Sequence, residues 1–135
     1  MIKSPDVFII EDTPSAQFIY REILSAIDMP YIIFGSGEEF LEYTSTKSPQ
    51  SNAIIIMDIG LPGIDGVELL KTIQSKRSSW KKIPVIAVTA HVMTHEIDHY
   101  KKQGFLQVIQ KPIQVKLFTD LMLAHLNQSL VGWDI

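Results

Sequence analysis

The sequence predicts an α/β domain: one parallel sheet of five short strands with helices packed on both faces. Short apolar runs recur at Val7 to Ile10, Tyr31 to Phe34, Ile54 to Met57, Val85 to Thr89 and Leu106 to Ile109. Each is followed by a longer stretch whose apolar residues recur at helical spacing. The central run, Ile-Ile-Ile-Met, has no polar alternation, which marks a strand buried on both faces. Strands and helices alternating at these lengths build a parallel sheet with crossover helices.

Taken in order, Val7 to Ile10 is the first strand and ends in the acidic pair Glu11-Asp12. Thr13-Pro14 opens a helix, because proline suits the first helical turn. Phe18, Ile19, Ile23, Leu24 and Ile27 are its expected buried stripe, and Asp28-Met29-Pro30 ends it. Tyr31 to Phe34 is the second strand, and Gly35-Ser36-Gly37 leads into a helix to about Thr46 that buries Phe40 and Leu41. A polar loop to Asn52 precedes the central strand. That strand stops at Asp58, and the loop after it carries Gly60, Pro62, Gly63 and Gly66. A third helix runs from Val67 to about Lys76 on Val67, Leu70 and Ile73. Trp80 falls in a polar loop before the fourth strand. Thr94 is the expected cap of a fourth helix through Gln103, which Gly104 terminates. After the fifth strand, Lys111-Pro112 turns the chain into a last helix, about Gln114 to Asn127. Val115, Phe118, Leu121, Met122 and His125 or Leu126 are its inward positions. Residues 1–128 read as one domain and 129–135 as a tail bearing Trp133.

Composition narrows the function. At 135 residues the chain can bury a core of its own. With 46% hydrophobic and 20% charged residues, it is not a disordered segment. The net charge of −3 and the lack of a basic block argue against nucleic-acid binding. Without cysteine there is neither disulfide nor thiol catalysis, which fits a reducing compartment. No apolar run approaches the ~18 residues of a membrane span, and Met-Ile-Lys-Ser-Pro-Asp does not open like a signal peptide. The expected location is cytoplasmic, with no membrane partner.

Polar residues stand where the strands run out: Glu11 and Asp12, Asp58, Thr89 and Lys111. In a parallel sheet those ends share one edge, where ligands of open α/β sheets bind. The strand order 2-1-3-4-5 would bring the three acids together. Three anions in one crevice need a cation, and Mg²⁺ with oxygen ligands is the natural one. Carboxylate, metal, hydroxyl and lysine together suit phosphoryl transfer, with aspartate as nucleophile. Asp58 is the nucleophile candidate because it is single and central. Glu11 and Asp12 are better metal ligands because they come as a pair.

Four blocks now combine: the acidic pair after strand one, Asp58-x-x-Leu-Pro-x-x-Asp-Gly66, Val88-Thr-Ala90, and Lys111-Pro112. Together they resemble the receiver domain of two-component response regulators, over about residues 5–127 in the same order. The resemblance implies a flavodoxin-like fold. It implies that Asp58 accepts a phosphoryl group from a phosphohistidine on a sensor histidine kinase or histidine phosphotransfer protein. Mg²⁺ would bind Asp12 directly, Glu11 largely through water, Asp58, and the backbone carbonyl of Gly60, with Thr89 and Lys111 on the phosphoryl oxygens. Output would pass through the face of helix four, strand five and helix five, with His95, His99, Lys102, Phe105, Gln107 and Val115 as contacts. Two departures stand out. Val108 occupies the place of the family's usual aromatic switch residue. Gly60 and His91 fill positions that tune dephosphorylation in the family, and glycine leaves the site open to water.

A hydrolase is the competing class. His95-Glu96-Ile97-Asp98-His99 matches the zinc-peptidase pattern H-E-x-x-H, but no third ligand is evident, since His125 fits the last helix. An aspartate-nucleophile phosphatase would want a second acid at position 60, where glycine stands. A flavin carrier on the same fold is a third reading, which a colourless protein would oppose. No output domain follows Asn127, so the expectation is a stand-alone receiver or one cut from a longer chain. The Thr89-to-Met93 stretch and the Lys111-Pro112-Ile113 turn point to hybrid-kinase or single-domain receivers.

Overall fold

The computed structural model describes residues 6–90 and 93–131. His91 and Trp133 therefore lie outside the described residues. Five parallel strands, β1 (Val7–Ile10), β2 (Tyr31–Phe34), β3 (Ile54–Asp58), β4 (Val85–Thr89) and β5 (Gln107–Gln110), form a sheet in the order 2-1-3-4-5, as expected. Five helices connect or follow them: α1 (Pro14–Ala26), α2 (Gly37–Thr46), α3 (Gly66–Lys76), α4 (Thr94–Gln103) and α5 (Val115–Val131).

The strand alternation sorts the core into two layers. Val7, Ile9, Ile54, Ile56, Ile86, Val88 and Ile109 face α1 and α5, packing with Tyr20, Leu24, Phe118 and Met122. Phe8, Ile10, Ile55, Met57, Val85 and Ala87 face the other way, toward Phe40, Leu69, Leu70 and Ile73 of α2 and α3, and toward Tyr100 of α4. Strands β1, β3 and β4 are buried throughout, which is why β3 reads as an unbroken apolar run.

Trp80 is the hub of the second layer. Its ring meets Phe8 edge-on at 4.9 Å and Phe40 at 5.5 Å, and its Nε1 donates to the Lys47 carbonyl at 2.8 Å. It sits in a short 3-10 turn, Ser78–Trp80, rather than an open loop. Trp80→Ala should lower unfolding stability by about 3–5 kcal/mol, read from urea denaturation. A loss under 1 kcal/mol would show that the ring cluster contributes little.

Several expectations need correcting. Phe18 is 60% exposed, and the buried aromatic of α1 is Tyr20. At 3.6 residues per turn, Phe18 points roughly 160° away from Tyr20, while Ile23, Leu24 and Ile27 cluster on Tyr20's side. Val115 is also 60% exposed. It lies in the first turn of α5 and, with Phe18 and Thr119, lines an open groove against α1. Leu69, not Val67, completes the buried face of α3. Met93 holds the cap position of α4, so Thr94 is its first helical residue. β5 starts and ends one residue later than expected, and α5 continues to Val131. Phe105 is buried against Tyr100 and so is not a surface contact.

Candidate phosphoacceptor site

Four of the five strands, β1, β3, β4 and β5, deliver a polar residue to the same edge. Ile10 of β1 pairs with Met57 of β3, so the next residues, Glu11 and Asp58, stand side by side. Asp58 pairs with Val88, and Thr89 with Gln110, which brings Thr89 and Lys111 to the same end. The turn after β3 is tight. A Cβ on Gly66 would lie 2.8 Å from the Asp58 carbonyl and 2.9 Å from the Ile59 Cα, so α3 can start this close only on glycine. Gly63 adopts a positive φ of 72°, whereas Gly60 does not, so only the later glycines serve turn geometry.

Lys111 ties the acids together. Its Nζ lies 2.8 Å from Asp58 Oδ2 and 3.1 Å from Glu11 Oε1. Glu11 and Asp58 are buried, at 1% and 5% exposure, while Asp12 is exposed. The Gly60 N–H donates to Asp58 Oδ1 at 3.0 Å, and the Thr13 N–H to Glu11 Oε2 at 3.0 Å. The Lys111 main chain donates to the Thr89 carbonyl at 2.9 Å, fixing β4 beside the lysine. The peptide between Lys111 and Pro112 is cis.

The charges respond to this enclosure. Burial pushes the Glu11 carboxyl above its usual range; the Thr13 N–H works against that, and the negative Asp58 reinforces it. For Lys111, desolvation favours the neutral amine, but hydrogen bonds to Asp58 and Glu11 and their charges outweigh it, and its pKa is raised. The Tyr20 phenol is held well above its ordinary value, first by burial and then by the fields of Glu11 and Asp58. Sequence reading passed over Tyr20; its helical register with Ile23, Leu24 and Ile27 was the available signal.

Carboxylate oxygens of Glu11, Asp12 and Asp58 lie within 4.8 Å of one another. Three hard oxygen donors, one of them open to solvent, fit a divalent cation of the Mg²⁺ type. Among the described residues this is the only such cluster of acidic or histidine side chains. His95 and His99 are both exposed on α4 and gather no third ligand among the described residues, so the peptidase reading has no support. An open pocket of about 460 Å³ adjoins the acids, lined by Glu11, Thr13, Ala16, Ile19, Lys111 and Ile113 among others. No helix among the described residues is long and apolar enough to cross a membrane.

A 2-1-3-4-5 parallel sheet whose edge gathers three acids, a threonine and a lysine fits the phosphoacceptor site of a signalling domain. The chain belongs to the response regulator receiver domain family, whose model matches residues 7–122. It is a receiver domain of two-component signalling. It is 31% identical over 123 residues to the polar-differentiation response regulator DivK of Brucella ovis, covering 91% of this chain and 97% of DivK. Among solved structures, the chemotaxis response regulator CheY4 of Vibrio cholerae shares the fold at TM-score 0.79 and 18% identity, over 91% of this chain and 99% of that one. The receiver domain of the sensor histidine kinase PA1611 from Pseudomonas aeruginosa PAO1, with a magnesium ion coordinated in its active-site cleft, does so at TM-score 0.78 and 18% identity, over 93% and 99%.

Proposed function

We propose that Asp58 accepts a phosphoryl group from a phosphohistidine of a sensor histidine kinase or histidine phosphotransfer protein, within a receiver unit spanning residues 1–128 of a cytoplasmic protein. The observation that carries this is the lysine bridge. One cation reaches both the Asp58 oxygen and the neighbouring Glu11 carboxylate at the open edge of a parallel sheet. In the transfer, the donor's P–N bond breaks as a P–O bond to Asp58 forms, and the imidazole leaves with the electron pair. Asp58 is held in position by the Gly60 N–H on its other oxygen. Lys111 would follow the charge onto the phosphoryl oxygens, and the Thr89 hydroxyl would hydrogen-bond them. Mg²⁺, held by Glu11, Asp12, Asp58 and the Gly60 carbonyl, would supply neutralisation of charge on the transferring group.

The output surface proposed is the α4–β5–α5 face. Exposed His95, His99, Lys102, Gln107 and Val115 are its contact candidates, with Phe105 removed from that set. Half-buried Val108 packs in the same layer as Tyr100. A readout there would depend on this apolar packing rather than on an aromatic flip at position 108.

The test is incubation with acetyl phosphate and Mg²⁺, followed by intact mass and peptide mapping. A single phosphoryl gain on Asp58 is expected, and no gain, or a gain elsewhere, overturns the reading. Mg²⁺ binding should also weaken as pH falls, because protonated Glu11 cannot serve the cation. Since burial raises the Glu11 pKa above its ordinary 4.5, the loss should begin at higher pH than for a free carboxylate. Calorimetric titrations from about pH 7 down to about pH 4 would check this. A midpoint at or below the ordinary value would count against it.

A further inference from the structure

The peptide that joins Glu11 to Asp12 is held by a side chain outside the reacting groups. Gln17 lies half-buried on α1, and its Nε2 donates to the main-chain carbonyl of Glu11 at 2.7 Å. β1 pairs with β2 as far as Ile10 and Phe34, and the Glu11 N–H still reaches the Phe34 carbonyl at 3.0 Å. Beyond that point the ladder ends. The chain turns there into α2, with the Gly35 N–H donating to Glu39 Oε2 at 2.8 Å. The Glu11 carbonyl is therefore secured from α1.

A peptide unit is planar, so the direction of its carbonyl fixes the whole plane. That plane is set by ψ of Glu11 and φ of Asp12, the two rotations that decide how the neighbouring carboxylates stand relative to each other. The Glu11 side chain is already held at both oxygens, by Thr13 N–H and by Lys111. Asp12 is exposed. The Gln17 bond thus falls on the peptide that links the exposed acid to the buried one.

We infer that Gln17 is a positioning residue for the divalent cation, pinning the Glu11–Asp12 peptide so that both acids meet one small ion. This rests on the Mg²⁺ reading of the site. Groups one step behind metal ligands commonly change affinity by about 10–100-fold when removed. Mg²⁺ demands near-ideal octahedral geometry, while Ca²⁺ accepts looser and more varied ligand sets. A slackened peptide should cost Mg²⁺ more than Ca²⁺.

The experiment measures Mg²⁺ and Ca²⁺ binding to the full chain by calorimetry, in wild type and Gln17→Met. Methionine keeps the length and helix propensity and removes the donor. The expected result is an Mg²⁺ Kd about tenfold higher, with a smaller change for Ca²⁺. An Mg²⁺ Kd within about twofold of wild type overturns the inference, as does an equal loss for both ions. If wild type itself binds no Mg²⁺, the metal reading of the site fails along with it; if wild type binds and Gln17→Met binds equally well, only the clamp fails. Should the variant not fold, the scalar coupling across the Gln17 Nε2 to Glu11 carbonyl hydrogen bond, read by NMR on wild type with Mg²⁺, decides: persistence supports the clamp and absence overturns it.

Discussion

Asp58→Asn will take up no phosphoryl group from acetyl phosphate or from a phosphorylated histidine donor. The amide is no nucleophile, and the other acids nearby are differently placed: Glu11 has one oxygen on Thr13 and the other facing Lys111, and Asp12 is exposed. The change is otherwise gentle. An asparagine carbonyl can still accept the Gly60 N–H that Asp58 Oδ1 now accepts. Lys111 keeps Glu11 as its partner. One of three crowded negative charges is gone, so metal-free stability should be at least that of wild type. Mg²⁺ should then stabilise the variant less than it stabilises wild type. Intact mass after acetyl phosphate treatment and thermal melts with and without Mg²⁺ read both effects. Full labelling of the variant would place the acceptor elsewhere.

Lys111→Met has the opposite signature. Two buried carboxylates lose the cation between them, and removing one partner of a buried ion pair commonly costs about 3–5 kcal/mol. Lys111's side chain is 27% exposed, which lets water take part of the load, so about 2 kcal/mol is expected. For a chain of this size that lowers the metal-free Tm by roughly 6–10 °C. Mg²⁺ should recover much of the loss, because it supplies the missing positive charge to Glu11 and Asp58. Phosphorylation should fall steeply even with Mg²⁺ saturating, since no cation is left to follow the phosphoryl oxygens. A melt unchanged in metal-free buffer would show that the bridge contributes nothing to the fold.

The strands and the site were legible because each rests on local signals. A short, β-branched apolar run before Asp58, with Gly and Pro after it, reads as a strand covered on both faces, and the parallel order puts its end beside Glu11. What escaped depends on geometry between elements. Phe18 is as hydrophobic as a core residue, but the angular position of α1 turns it outward. Trp80 reads as a loop residue because the pocket that receives it is built by Phe8, Phe40 and Tyr43, from distant parts of the chain. Gln17 carries no motif, and its contact with the Glu11 carbonyl exists only once α1 folds back beside β1.

The two layers of the core also separate the acidic cluster from α4. By strand alternation, Glu11, Asp58 and Lys111 continue the rows of Ile9, Ile56 and Ile109, on the α1–α5 side. Thr89 continues the row of Val85 and Ala87, on the side of Val108 and Tyr100. The proposed chemistry thus lies on one side of a wall one sheet thick, and α4 on the other. If Asp58 is phosphorylated as proposed, the change would reach the other side at the rim, where Thr89 has its backbone tied to Lys111 and its row aligned with Val108. On that reading the sheet would act as an insulator bridged at its edge, so substitutions deep in the α1–α5 layer should alter stability more than the coupling between the two sides.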